Sequence, residues 1–94
     1  MVAPRIETTT AFYFGRPSET VQIPGRYRGV QGARQLRVEV MRGGEWSQFP
    51  LPVVTEQAGD FRAFVYLGRT GTYQLRIVDP EERRSSRVLI LQLF

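Results

Sequence analysis

From Gly59 to Pro80 the chain reads GDFRAFVYLGRTGTYQLRIVDP, and its apolar residues fall on every second position in two runs. Side chains alternate along a strand. Phe61, Ala63, Val65 and Leu67 therefore share one face, and Tyr73, Leu75 and Ile77 share a face of the second run. Between the runs lies Gly68-Arg69-Thr70-Gly71, whose glycines reach positive φ without a steric penalty. The spacing predicts two antiparallel strands around a short connection, a central hairpin about which the other strands are arranged.

The same signature recurs along the chain. Met1 to Ile6 reads as a flexible tail or as the first part of an edge strand, since Pro4 is unsuited to a central one. ETTTAFYF, Glu7 to Phe14, has strand composition, with Phe12 and Phe14 on one face and Tyr13 on the other. Gly15-Arg16-Pro17-Ser18 turns the chain into TVQIPGRY, Thr20 to Tyr27. Pro24-Gly25 interrupts that strand and predicts a bulge or a bend near a sheet edge.

RQLRVEVM, Arg34 to Met41, alternates cleanly. Leu36, Val38 and Val40 point one way and Arg37 and Glu39 the other, the mark of one buried and one wet face. Gly43-Gly44 makes a tight hairpin into EWSQFPL, Glu45 to Leu51. Alternation sets Trp46 and Phe49 on opposite faces unless a bulge intervenes, and Pro50 and Pro52 keep the segment at an edge. Val53 to Gln57 is a short strand or an extended link. Asp79-Pro80-Glu81-Glu82 is a turn, and Arg83 to Arg87 is solvated. VLILQLF, Val88 to Phe94, carries apolar residues on both faces. Either it is covered on both sides, or one face packs on something outside this chain.

This makes about seven short strands, with turn signals every ~8–12 residues and no helical stretch. At 94 residues the expectation is a single domain, residues 1–94: an all-β, antiparallel β-sandwich.

Composition narrows the chemistry. Cysteine and histidine are absent, so there is no disulfide, no thiolate and no imidazole base or metal ligand. The serines and threonines have no histidine to activate them, and a non-enzyme is expected. No cofactor and no metal site is expected either. Asp79, Glu81 and Glu82 offer oxygens to a cation, but a solvated acidic turn is the favoured reading, because calcium takes more ligands. All 13 basic residues are arginine, and asparagine is missing too. A GC-rich coding sequence, with a thermophile as one source, accounts for both. The arginines are dispersed, so nucleic acid is a weak third reading despite the net charge of +4. No apolar run approaches the ~20 residues of a membrane span, and MVAPRIETTT lacks a signal-peptide core. An exported form would have lost its signal, or Met1 would begin a domain cut from a longer chain.

Several short motifs together resemble a family. Gly25-Arg26 follows an apolar strand, a VEV strand comes next, and then Gly43-Gly44-Glu45-Trp46. Gly59-Asp60-Phe61-Arg62 and Gly71-Thr72-Tyr73-Gln74-Leu75-Arg76 complete the order. Over roughly residues 20 to 93 this is similar to bacterial Ig-like and fibronectin type III-like modules of secreted and cell-surface proteins; similar modules also decorate phage virions. The resemblance implies an Ig-like sandwich acting as a non-catalytic structural or binding module of an extracellular, cell-envelope or virion protein. The alternative is a self-assembling coat or decoration protein, a homo-oligomer with VLILQLF at the subunit interface.

For contacts with a protein or polysaccharide, the candidate residues are Phe64, Tyr66, Trp46 and Arg62. If Phe61, Ala63, Val65 and Leu67 face the core, Phe64 and Tyr66 face outward beside Arg62, where aromatics stack sugars or meet a partner. Cross-strand shielding of the sheet explains the same placement equally well. Trp46 fills the core or lies exposed near an edge, with the core favoured.

Overall fold

The computed structural model describes residues 3–30 and 32–94. Among them are nine strands and no helix: β1 (Arg5–Thr8), β2 (Phe12–Gly15), β3 (Val21–Arg28), β4 (Gln35–Arg42), β5 (Glu45–Val54), β6 (Asp60–Val65), β7 (Gly71–Asp79), β8 (Arg84–Ser85) and β9 (Leu89–Leu93). They form two sheets. One has the order β1-β3-β6; the other runs β2-β9-β7-β4-β5, with β8 also on β7. The inner faces pack on each other. Ile6, Ile23, Tyr27, Ala63 and Val65 meet Leu36, Val38, Leu75, Ile77 and Leu91 in a dry core. Alternation therefore identified the buried positions Leu36, Val38 and Val40 of β4, Phe61, Ala63 and Val65 of β6, and Leu75 and Ile77 of β7. The fold is an all-β sandwich.

The excess over seven strands arises at the two ends. The stretch Glu7 to Phe14 is not one strand: after Thr8 the chain leaves the three-stranded sheet and joins the other at Phe12. The other additional strand, β8, lies just before the final one, in the stretch Arg83 to Arg87, and Ser86 continues its pairing with β7. Its N–H donates to the Ile77 carbonyl, and its Oγ accepts from Ile77 N at 2.9 Å. Arg83 to Arg87 is thus not simply solvated, since Ser86 is buried and Arg84–Ser85 pair with β7. Of Met1 to Ile6, Arg5 and Ile6 belong to an edge strand and Ile6 enters the core, while Met1 and Val2 lie outside the described residues.

Three further expectations are corrected. The stretch from Gly59 to Pro80 is not a hairpin: β6 pairs with β3, whereas β7 pairs with β4 and β9 in the other sheet. The connection crosses between layers, with Leu67 buried under it. Tyr73 braces this corner, its Oη donating to the Arg69 carbonyl at 2.8 Å. The sandwich is not wholly antiparallel either, since β2 runs parallel to β9. Pro24 lies in a central strand with unbroken register to β6, with no bulge. The Pro24 carbonyl accepts from Thr9 N, so its absent N–H also points to that side, just beyond the end of β1. No bond to β6 is lost. Gly25 is required next to it, because a Cβ there would run into the Glu7 carbonyl and the Phe61 ring.

The β4–β5 hairpin is as expected. Gly43 and Gly44 have φ of 56° and 83°, the signs a type I′ turn demands. A bulge follows: Val38 on β4 faces Phe49, Pro50 and Leu51 on β5. Two additional residues preserve the alternation, so both Phe49 and Val53 point inward.

Candidate functional site

The sandwich has two outer faces of different chemistry. On the three-stranded sheet, charges dominate. Arg26 Nε donates to Asp60 Oδ1 at 2.8 Å, Arg28 Nε donates to Glu7 Oε2 at 2.9 Å, and Arg5 stands 3.7 Å from Glu7. The hydrogen bond from Arg26 holds the Asp60 carboxyl below its ordinary value, and Asp60 raises Arg26 in return. Arg62, Phe64 and Tyr66 share this face, as alternation placed them, with Phe64 42% and Tyr66 52% exposed.

Trp46 does not join them. It lies on the opposite outer face, half-buried, with the Arg76 guanidinium 4.4 Å from its ring centroid. The core placement favoured from the sequence is therefore corrected. Trp46 is the second residue of β5, and β4, its neighbour, turns Met41 outward there. Beside it Arg76 and Arg37 clamp Glu39, at 2.6 and 2.8 Å. Glu39 is almost fully covered, and two guanidiniums supply the charge and hydrogen bonds that such burial needs. The sequence placed Glu39 outward, correctly, but as wet.

The same six-stranded sheet carries, at its β2 edge, a patch that alternation alone did not rank. Phe12, Phe14 and Phe94 are 61%, 63% and 67% exposed. Phe14 and Phe94 stack, with centroids 6.1 Å apart and planes 8° from parallel. Ile90 pairs with Phe12 and Gln92 with Phe14, and Gln74 and Thr72 continue the same face on β7. No charged side chain stands on these positions of β2, β9 and the first half of β7.

Tyr13 faces the other way, into the core, at 8% exposure, and its hydroxyl is buried with no hydrogen-bond partner among the described residues. This reverses the usual preference. Phe12 and Phe14 face water, while the hydroxyl of Tyr13, which lies between them in sequence, is buried on the opposite face. Slipping β2 by one residue would exchange the two sets. The parallel ladder fixes the register, with Ile90 N donating to the Ala11 carbonyl and Phe94 N to the Gly15 carbonyl. The sequence put Phe12 and Phe14 together; which face is outward depends on pairing with a strand about 75 residues away.

A buried polar cluster lies at the end of β7. Tyr27 Oη donates to Asp79 Oδ2 at 2.7 Å and accepts from Arg84 Nη1 at 3.2 Å. The other Asp79 oxygen accepts from the N–H groups of Glu81 and Glu82. Arg34 Nη1 stands 4.0 Å from Asp79 and also approaches Glu81 and Glu82. One Asp79 oxygen is thus committed to the turn and the other to Tyr27. Burial first, and then the bond to Asp79, raises Tyr27 above its ordinary pKa of about 10. Among the described residues, no three His, Cys, Asp or Glu side chains stand together as a metal site. Among the same residues no helix is long and apolar enough to cross a membrane.

No protein-family model matches the chain, and no curated protein matches it. Solved structures do match in fold, 26 chains in all. One belongs to a structure described as the structural basis of T cell specificity and activation by the bacterial superantigen toxic shock syndrome toxin-1. It aligns with a TM-score of 0.62 at 6% identity, over 98% of this chain and 100% of that one. At such identity the likeness establishes the fold alone.

Proposed function

We propose that the chain is a non-catalytic, Ig-like module that binds protein through the outer face of its six-stranded sheet. The observation that carries this reading is the inverted β2 strand, with Phe12 and Phe14 outward and the Tyr13 hydroxyl buried. Exposed, contiguous aromatics in a well-packed domain are the composition of an interface core, where charge is depleted. The Ig-like arrangement is supported by the sheet orders β1-β3-β6 and β2-β9-β7-β4-β5, with the first strand divided between layers. The Tyr73 hydroxyl bound to the backbone four residues upstream supports it too, as the tyrosine corner of such sandwiches. Membership of an extracellular, cell-envelope or virion assembly remains the context that the resemblance implies.

The test compares the two outer faces. A photo-crosslinking residue is placed at position 14 or at position 64 in the cell that produces the protein. A discrete protein adduct from position 14 alone is expected. An adduct from position 64 alone would favour the charged face with Arg62, Phe64 and Tyr66. Adducts from neither would sink the binding reading.

A further inference from the structure

We infer that the occupant of the aromatic face is a second copy of this chain, its β2 strand paired antiparallel to the first about a two-fold axis at Phe14. This rests on the protein-binding reading above and names the partner.

Edge strands in this fold are guarded, with one exception. β5 carries Pro50, Pro52 and a bulge. β1 carries Arg5 and Glu7, and β6 carries Asp60 and Arg62. Such charges, prolines and bulges oppose edge-to-edge pairing. β2, Phe12–Gly15, has no charge, no proline and no bulge.

The backbone of β2 has a matching vacancy. Ala11 and Gly15 direct their carbonyls at β9, so in a parallel ladder Phe12 and Phe14 direct their backbone groups at the open edge. Thr10 Oγ1 caps the Phe12 N–H at 3.2 Å. Among the described residues the Phe14 N–H is then the uncapped donor of that edge, and the Phe12 and Phe14 carbonyls are its acceptors. Two copies of Phe14 that exchange N–H and carbonyl make one hydrogen-bonded antiparallel pair, which is its own two-fold mate. The pairing also brings Phe12, Phe14 and Phe94 of both copies together on one side of a continuous sheet. Charge permits it. The chain carries +4, yet the patch itself is uncharged, so self-pairing there juxtaposes no like charges.

Sedimentation equilibrium of the whole chain from about 1 μM to about 1 mM tests this, as dimerisation follows mass action. A monomer–dimer equilibrium is expected, with Phe14→Glu weakening it at least ~100-fold and Phe64→Glu changing it less than ~3-fold. Cooperative unfolding of each variant verifies its fold. The chain has no cysteine, so Phe14→Cys gives an independent readout. Opposed residues of a hydrogen-bonded pair have Cα atoms ~5.5 Å apart, within disulfide reach. Phe14→Cys should oxidise to a covalent dimer, and Phe64→Cys should not. A monomer at every concentration, or a dimer indifferent to Phe14→Glu, overturns the inference. A monomer that still gives a heterologous adduct from position 14 overturns the inference alone and leaves the protein-binding reading in place.

Discussion

The Tyr13 hydroxyl is the group whose removal costs least. It is buried with no partner among the described residues, and its desolvation is uncompensated by them. Tyr13→Phe is expected to stabilise the fold by about 1 kcal/mol, or roughly 4–8 °C in Tm for a domain of this size. Thermal unfolding at low protein concentration measures it, and a loss of stability would mean that the hydroxyl has a partner. Tyr27 behaves oppositely. Its hydroxyl joins Asp79 to Arg84, and Tyr27→Phe should cost roughly 1–3 kcal/mol by leaving a buried carboxylate one donor short. Its pKa lies above the ordinary value of about 10 in the folded chain, so on alkalinisation the unfolded chain ionises first. The folded state then holds more protons than the unfolded one. The contribution of Tyr27 is therefore whole below pH 10 and is lost as pH rises through and beyond it. Urea unfolding between pH 7 and 11 should show this decline in the parent and a shallower one in Tyr27→Phe.

At the level of the strand, the sequence was most legible where one face is dry. Leu36-Val38-Val40 and Phe61-Ala63-Val65 could be assigned inward from period alone, and the Gly43-Gly44 turn from its glycines. Partners were less legible, because alternation says which way a side chain points and not which strand lies beside it. β6 and β7 read as a hairpin for that reason. Their connection crosses the sandwich instead, and Tyr73 and Leu67, read from the sequence as members of the two alternating strand faces, brace it. Pro24 misled in the same way, since its tolerance in a central strand depends on where β1 stops. Of the candidate site, Arg62, Phe64 and Tyr66 were placed together correctly. Trp46 was not, and Phe94 could join Phe14 only after β2 and β9 were known to be neighbours.

Across the whole molecule the two outer faces divide the work. Ion pairs lace the three-stranded sheet, while the six-stranded sheet presents aromatics at one edge and clamped arginines at its middle. An aromatic edge and an ion-paired surface thus lie on opposite sides of one core. The parallel β2–β9 pair has a different consequence. These strands lie towards opposite ends of the chain yet run the same way. Tension that draws the ends apart slides them past each other, loading their hydrogen bonds all at once. The antiparallel Gln35–Val54 pair, pulled at those two residues, would open one bond at a time. Rupture under load is governed by the unfolding rate. Single-molecule stretching should therefore need a distinctly larger force end to end than through cysteine handles at 35 and 54. The division of one terminal strand between two sheets would then make the molecule a mechanical clasp, stiff along the axis on which a chain of such modules would be tugged.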